Sequence, residues 1–329
     1  MNGMAENKKK FLFPTLTLFL TAPIFGEVLS TSSPPTEFFQ PATFLILVGL
    51  YGSGALLVRE CVRRWQKGWI SVLLLGMAYG IYEEGLVVRS FFDPNWVDIG
   101  VLGSYGRMGG INWIWSIALT IFHAVVSIGL PILVVELLFP QHRAESWLGK
   151  TGLVITGVVF ASFFFFAPLL KLYAIPAGKF LLCLACMAGL ILLAYHWKDG
   201  WLAVKQKKTA KPGKIGLSGF VWMLLFALEM WLLPALNLPA WLDFCLLAAL
   251  PWLGVWQMKR WDCTEWSERQ QWALAMGLLT PWFITASIAE LQNAARADDT
   301  RGLIAASLLV LASMLLLRLQ IGKREKERE

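Results

Sequence analysis

Two adjacent carboxylates, Glu83 and Glu84, stand inside an otherwise apolar run from Gly68 to Val88, and Arg89 closes it. In the next apolar segment His123 belongs to a polar stripe, Asn112, Ser116, Thr120, His123 and Ser127. Its spacing of 4, 4, 3 and 4 marks one face of a helix. A carboxylate beside an imidazole can carry general acid–base chemistry, and the same pair can relay protons or hold cations. In hydrocarbon these groups are expensive, roughly 2.5–3.5 kcal/mol per charge at the bilayer centre. Their presence therefore implies a polar compartment that compensates.

The elements that must position them are transmembrane helices. Of the 329 residues 57% are hydrophobic and only 16% are charged, against about 25% charged in soluble domains. Ten apolar segments can be drawn, each near the roughly 20 residues that cross hydrocarbon. They are about 11–29, 42–58, 69–88, 111–138, 151–170, 174–196, 217–236, 240–258, 271–291 and 302–321. Pro131 predicts a kink in the fourth. The expected fold is all-α: a polytopic transmembrane bundle of about ten helices forming a single domain over 1–329. Residues 1–10 precede the spans, which fill 11–321, and 322–329 form a tail.

Charge orients the bundle. With both termini in the cytoplasm, only Arg89, Arg107, Lys171, Lys179, Arg296 and Arg301 of the 29 Lys and Arg fall outside. That matches the positive-inside rule and predicts a multi-pass protein of a bacterial cytoplasmic membrane. The net charge of +7 follows from this bias and implies no nucleic-acid partner. Lys8–Lys10 before Phe11–Thr21 resemble a signal peptide, but Pro14 and Pro23 interrupt the run and no small-residue cleavage site follows. A retained first span is expected. The Lys-rich link Lys198–Lys214 would rest on anionic lipid. The outer connection Ser90–Gly110, with its aromatics and glycines, reads as a folded cap. Membrane lipids are the expected partners, together with a membrane-embedded peptide or small-molecule substrate.

Depth along each helix, at 1.5 Å per residue, sorts the polar residues. Glu27, Glu83, Glu84, Asn112, Glu229, Asp243 and Glu290 fall in the outer half, whereas Glu136 lies near the inner end of the fourth span. The sequence assigns catalysis to Glu83, Glu84 and His123. It assigns substrate contact to Arg89, Arg107, Asn112, Glu229 and Glu290. Carboxylates of the third and seventh helices are expected to meet His123 in one chamber. His123 with Glu83, Glu84 and Glu229 would offer one nitrogen and up to three oxygens to a metal. No His-Glu-x-x-His or Cys/His cluster is present, so no metal is assigned. No nucleotide or haem motif points to a cofactor.

At Glu83-Glu84-Gly-Leu-Val-Val-Arg89, followed by Phe122-His123, the chain resembles the CAAX-protease and bacteriocin-processing family of intramembrane glutamic peptidases. The resemblance covers about 40 of the 329 residues. It implies a Glu and a His that activate water, with Arg89 as a structural brace. Here Arg89 comes one residue later than in that family, Phe122 directly precedes His123, and the family's second histidine motif is missing. The other histidines, His142 and His196, belong to the cytoplasmic side. The reading from residues alone leaves three classes open: an intramembrane hydrolase, an ion-coupled or small-molecule transporter, and a non-catalytic scaffold or receptor.

Overall fold

The computed structural model describes residues 11–198, 210–292 and 299–328. Lys8–Lys10, most of the Lys198–Lys214 link and Arg296 lie outside the described residues. Long apolar runs leave the backbone no water to bond to, so it closes its hydrogen bonds within helices. Nine helices among the described residues are long and apolar enough to cross a membrane. They are α2 (Pro41–Arg64), α3 (Trp69–Val87), α4 (Trp113–Leu138), α5 (Lys150–Leu169), α6 (Ala177–His196), α7 (Pro212–Ala235), α8 (Ala240–Arg260), α9 (Glu268–Leu291) and α10 (Leu303–Lys326). A shorter apolar helix, α1 (Leu12–Val28), precedes them. The all-α polytopic bundle is thus the fold.

Burial separates centre from periphery. In α3 and α4, 78% of the apolar window is buried, against 6% in α5 and 11% in α6. Helices α1 to α4 pack on one another, α8 and α9 flank α4, and α10 lies against α9. The site described below is built from the central four.

Those four helices share a backbone feature. Each contains a π-helical stretch, at Ile24–Val28, Val48–Gly52, Ile81–Val87 and His123–Gly129. The amides of Leu29, Val88 and Leu130 bond the carbonyls five residues back, Ile24, Glu83 and Val125. Such wide turns are rare and occur frequently at functional sites. Near Pro131, where the sequence predicts a kink, the backbone forms a wide turn that ends at Gly129, and Pro131 enters the resumed α-helix near its start. An extra residue in the turn relieves the clash of the proline ring with the preceding turn.

The connection between α3 and α4 is folded. Gly109 and Gly110, at φ +61° and +72°, make the two-residue turn of a hairpin pairing Met108 with Ile111 and Arg107 with Asn112. Lys179 donates to the Gly110 carbonyl at 2.9 Å and so pins the hairpin to α6.

Helices α7 and α9 approach most closely where glycines meet. A Cβ on Gly277 would strike the Gly216 carbonyl, and one on Gly219 would lie 3.0 Å from the Leu274 carbonyl. These obstacles are backbone and cannot rotate away. Gly277→Ala is expected to force the helices apart and cost about 1–3 kcal/mol. Gly189→Ala, where a Cβ meets nothing within 4 Å, is the neutral control. Thermal unfolding of the two variants in the same detergent is the measurement.

Candidate functional site

His123 opens the π-helical stretch of α4 and is 1% exposed. Its Nε2 lies 3.0 Å from Glu84 Oε1. Its Nδ1 lies 3.0 Å from Ser127 Oγ and 3.4 Å from Glu83 Oε2. Two neighbouring carboxylates of α3 therefore face opposite nitrogens of one imidazole. The Ser90 hydroxyl donates to Glu84 Oε2 and accepts from the Trp115 indole N–H at 3.0 Å. Glu84 is thus held on both oxygens. Glu83 is not, because its buried Oε2 accepts no hydrogen bond among the described residues. The buried Tyr79 hydroxyl faces Glu83 without closing a hydrogen bond.

A third carboxylate joins from α1. Glu27 Oε1 accepts from the Tyr51 hydroxyl at 2.5 Å and Oε2 from Ser33 at 2.9 Å. It lies within electrostatic reach of both Glu83 and His123. The rings of Tyr51 and Tyr79 flank the imidazole, with centroids 6.0 and 5.7 Å away. The described contacts give none of these three carboxylates an Arg or Lys partner. Full ionisation would set three negative charges against at most one positive in apolar surroundings, which is costly. The cluster is built to share protons or to take up positive charge.

Glycines clear the space. A Cβ on Gly26 would hit the Tyr51 ring, and one on Gly54 the Tyr79 ring. At Gly80 it would lie 3.0 Å from His123 Cβ, and at Gly76 2.8 Å from Ala124 Cα. Helices α3 and α4 can therefore meet closely enough for a short Glu side chain to reach the ring.

One ligand atom from each of Glu83, Glu84 and His123 falls within 4.8 Å of the others. A metal would take one imidazole nitrogen, however, and the carboxylates address both. The arrangement suits proton transfer through the ring better than ligation.

The other residues that the sequence assigned to substrate contact lie elsewhere. Arg89, at φ +67°, donates to the Tyr173 carbonyl at 2.8 Å and ties the cap to the α5–α6 connection. Arg107 donates to the carbonyls of Gly103 and Phe92, each at 2.9 Å. Asn112 is fully buried as the N-cap of α4: its Oδ1 accepts from the Trp115 amide at 2.9 Å and its Nδ2 donates to the Leu102 carbonyl. Glu290 accepts from the Ile304 amide at 2.6 Å. It caps α10 from a distance, because Gly302 at the N-cap has no side chain to do so. Glu229 turns towards Asp243 on α8. The single chamber expected from α3, α4 and α7 is therefore two: α7 packs on α9 and presents its carboxylate to α8, and the third acid beside His123 is Glu27.

Tyr51, Ser33 and Ser90 were not read as site residues. The signal that could have found Tyr51 is Gly26 beside Glu27, a vacancy for an aromatic ring. Ser90 lies past the helix end and carried no such signal. On the opposite flank of α3 and α4, an apolar cavity of about 180 Å³ is lined by Met77, Ala124 and Val125 and by Trp222, Gly254 and Trp261 of α7 and the α8 end. It reaches the two residues that follow His123.

The bundle and its buried acidic centre define a polytopic α-helical membrane protein. The chain belongs to an uncharacterized membrane protein family, whose sequence pattern matches residues 16–317. No CAAX-protease match accompanies it, so that resemblance rests on Glu83, Glu84 and His123 themselves. No curated protein and no solved structure matches the chain.

Proposed function

We propose that this protein is a glutamate- and histidine-dependent intramembrane hydrolase that cleaves a membrane-embedded peptide. The observation that carries the reading is the 3.0 Å contact of His123 Nε2 with Glu84 Oε1, beside a Glu83 oxygen left without a donor. The division of labour follows from which atoms are occupied. Glu84, held by Ser90, orients the imidazole. Glu83 Oε2 is the free acceptor and takes a proton from water as the water oxygen bonds to the scissile carbonyl carbon. His123 passes a proton to the amine nitrogen as the carbon–nitrogen bond breaks. The Tyr79 hydroxyl, which faces Glu83 without closing a hydrogen bond, can turn to the carbonyl oxygen as it gains charge.

Two rival classes fit less well. A scaffold would leave every buried polar group paired, yet Glu83 and Tyr79 each keep an open atom. A carrier would line its cavity with carboxylates, and the two cavities of about 180 and 430 Å³ beside α7 have none.

The test compares host membranes containing the wild type with those containing His123→Gln at equal folded yield, by sequencing new peptide termini. Termini within apolar segments that appear only with the wild type are the expected result. Identical sets of termini would remove the hydrolase reading.

A further inference from the structure

The second acidic pair lies apart from His123, and nothing in the proposed hydrolysis uses it. Asp243 is in the first turn of α8 and is fully buried. A carboxylate there normally accepts helix amides, but neither Asp243 oxygen accepts a hydrogen bond among the described residues. Glu229, on the antiparallel neighbour α7, is 8% exposed and its Oε2 is also unaccepting. Trp222 of α7 donates to the Leu250 carbonyl of α8 at 2.9 Å, and seven residues along each helix of this antiparallel pair Glu229 stands level with Asp243, near enough for the two carboxylates to repel. From above, the folded cap lowers Tyr105 towards them. Its hydroxyl faces Asp243 without closing a hydrogen bond. Burial first, and the Asp243 charge second, push the Tyr105 phenol up to about 12, so it presents a neutral oxygen. No Lys or Arg of the described residues is among the groups acting on either acid.

Two buried acids with open oxygens and no basic partner lack a positive charge. From this geometry we infer that Glu229, Asp243 and Tyr105 form a binding site for a hard cation of the calcium class, beneath the cap on the face that the charge bias assigns outside. The donor set is oxygen only, as such ions require, and two carboxylates balance one divalent charge. The site joins α7, α8 and the cap, so occupancy would clamp the cap to the helices below it.

The experiment uses full-length protein in lipid nanodiscs titrated with terbium, a luminescent ion that takes calcium sites and is sensitised by nearby aromatic rings. Saturable luminescence that calcium displaces is expected. Asp243→Asn and Glu229→Gln should each weaken binding at least tenfold. Tyr105→Phe, which leaves both acids in place, should lower the signal if either acid variant fails to fold. Glu84→Gln should leave it unchanged. Absence of calcium-displaceable luminescence in the wild type overturns the inference. So does a signal that survives Asp243→Asn, or one lost only in Glu84→Gln, which would place the ion beside His123.

Discussion

Arg59→Met is expected to destabilise the protein by about 3–5 kcal/mol, the range for a buried ion cluster that loses one partner. Arg59 is 1% exposed, and every one of its five N–H donors is used. Nε donates to Glu136 at 3.1 Å. One terminal nitrogen serves Glu60 at 3.3 Å and the Glu145 carbonyl at 3.0 Å. The other serves the carbonyls of His142 and Arg143, at 3.2 and 3.1 Å. The guanidinium carbon also sits 3.2 Å from the centre of the Trp147 ring.

Removing Arg59 strands groups that were buried on its account. Glu60 keeps Arg64 at 3.1 Å and the Trp147 amide at 2.7 Å, and Glu136 keeps Arg63 at 2.5 Å. The carbonyls of Arg143 and Glu145 lose this donor, while that of His142 keeps the Trp147 indole N–H at 3.0 Å. Arg59→Lys should rescue little, since three donors on a flexible stem cannot fill a planar five-donor site. Chemical unfolding in a fixed detergent, monitored by tryptophan fluorescence, measures both variants. A cost below about 1 kcal/mol, the ceiling for a surface pair, would mean that the cluster does not hold the inner ends of α2 and α4 together.

Arg59 also illustrates what the sequence concealed. The second apolar run ends at Val58, so Arg59, Arg63 and Arg64 read as a cytoplasmic loop that orients the chain. The helix instead runs on to Arg64 and folds the basic residues back onto Glu136. The charge bias was legible because it needs only which side a residue is on. The pairing was not, because Glu136 is remote in sequence and looked like an isolated exception.

The same division holds in the outer half. Helix extents follow from apolar runs, so the nine membrane-length helices among the described residues and the shorter apolar helix before them were legible. Which way a side chain points around its helix was not. A π-helical turn inserts one residue and rotates everything beyond it, and all four central helices contain one at the site. Counting residues sorts Glu27 only by depth, whereas its side chain accepts from Tyr51 beside the site. Glu229 stands at a suitable depth but on the side of α7 that meets α8. Arg89 and Arg107 lie in and beside the cap, and each turns its guanidinium to loop carbonyls and away from His123.

Glu83→Gln and Glu84→Gln are each expected to cut peptide hydrolysis by about 10²–10⁴-fold, the usual worth of a positioned acid or base, but for different reasons that can be told apart. Glutamine at 83 removes the free acceptor for water. It leaves Glu84, Ser90 and Ser127 in place around the ring but takes away the carboxylate 3.4 Å from Nδ1, so the change at His123 should centre on Nδ1. Glutamine at 84 replaces an acceptor of both Ser90 and His123 with a group that can accept on one side only. The imidazole must then change its proton position or its orientation. With three histidines in the chain, nitrogen-15 labelling of histidine gives a spectrum that His142→Gln and His196→Gln can assign. In that spectrum Glu84→Gln should move the His123 Nε2 signal most and Glu83→Gln the Nδ1 signal most. If both variants keep folded yield but neither lowers hydrolysis tenfold, the two carboxylates take no part in proton transfer. If Glu83→Gln alone moves the His123 signals, the roles of the two acids are reversed, and the hydroxyl of Ser90 restrains the base instead of the residue that orients the ring.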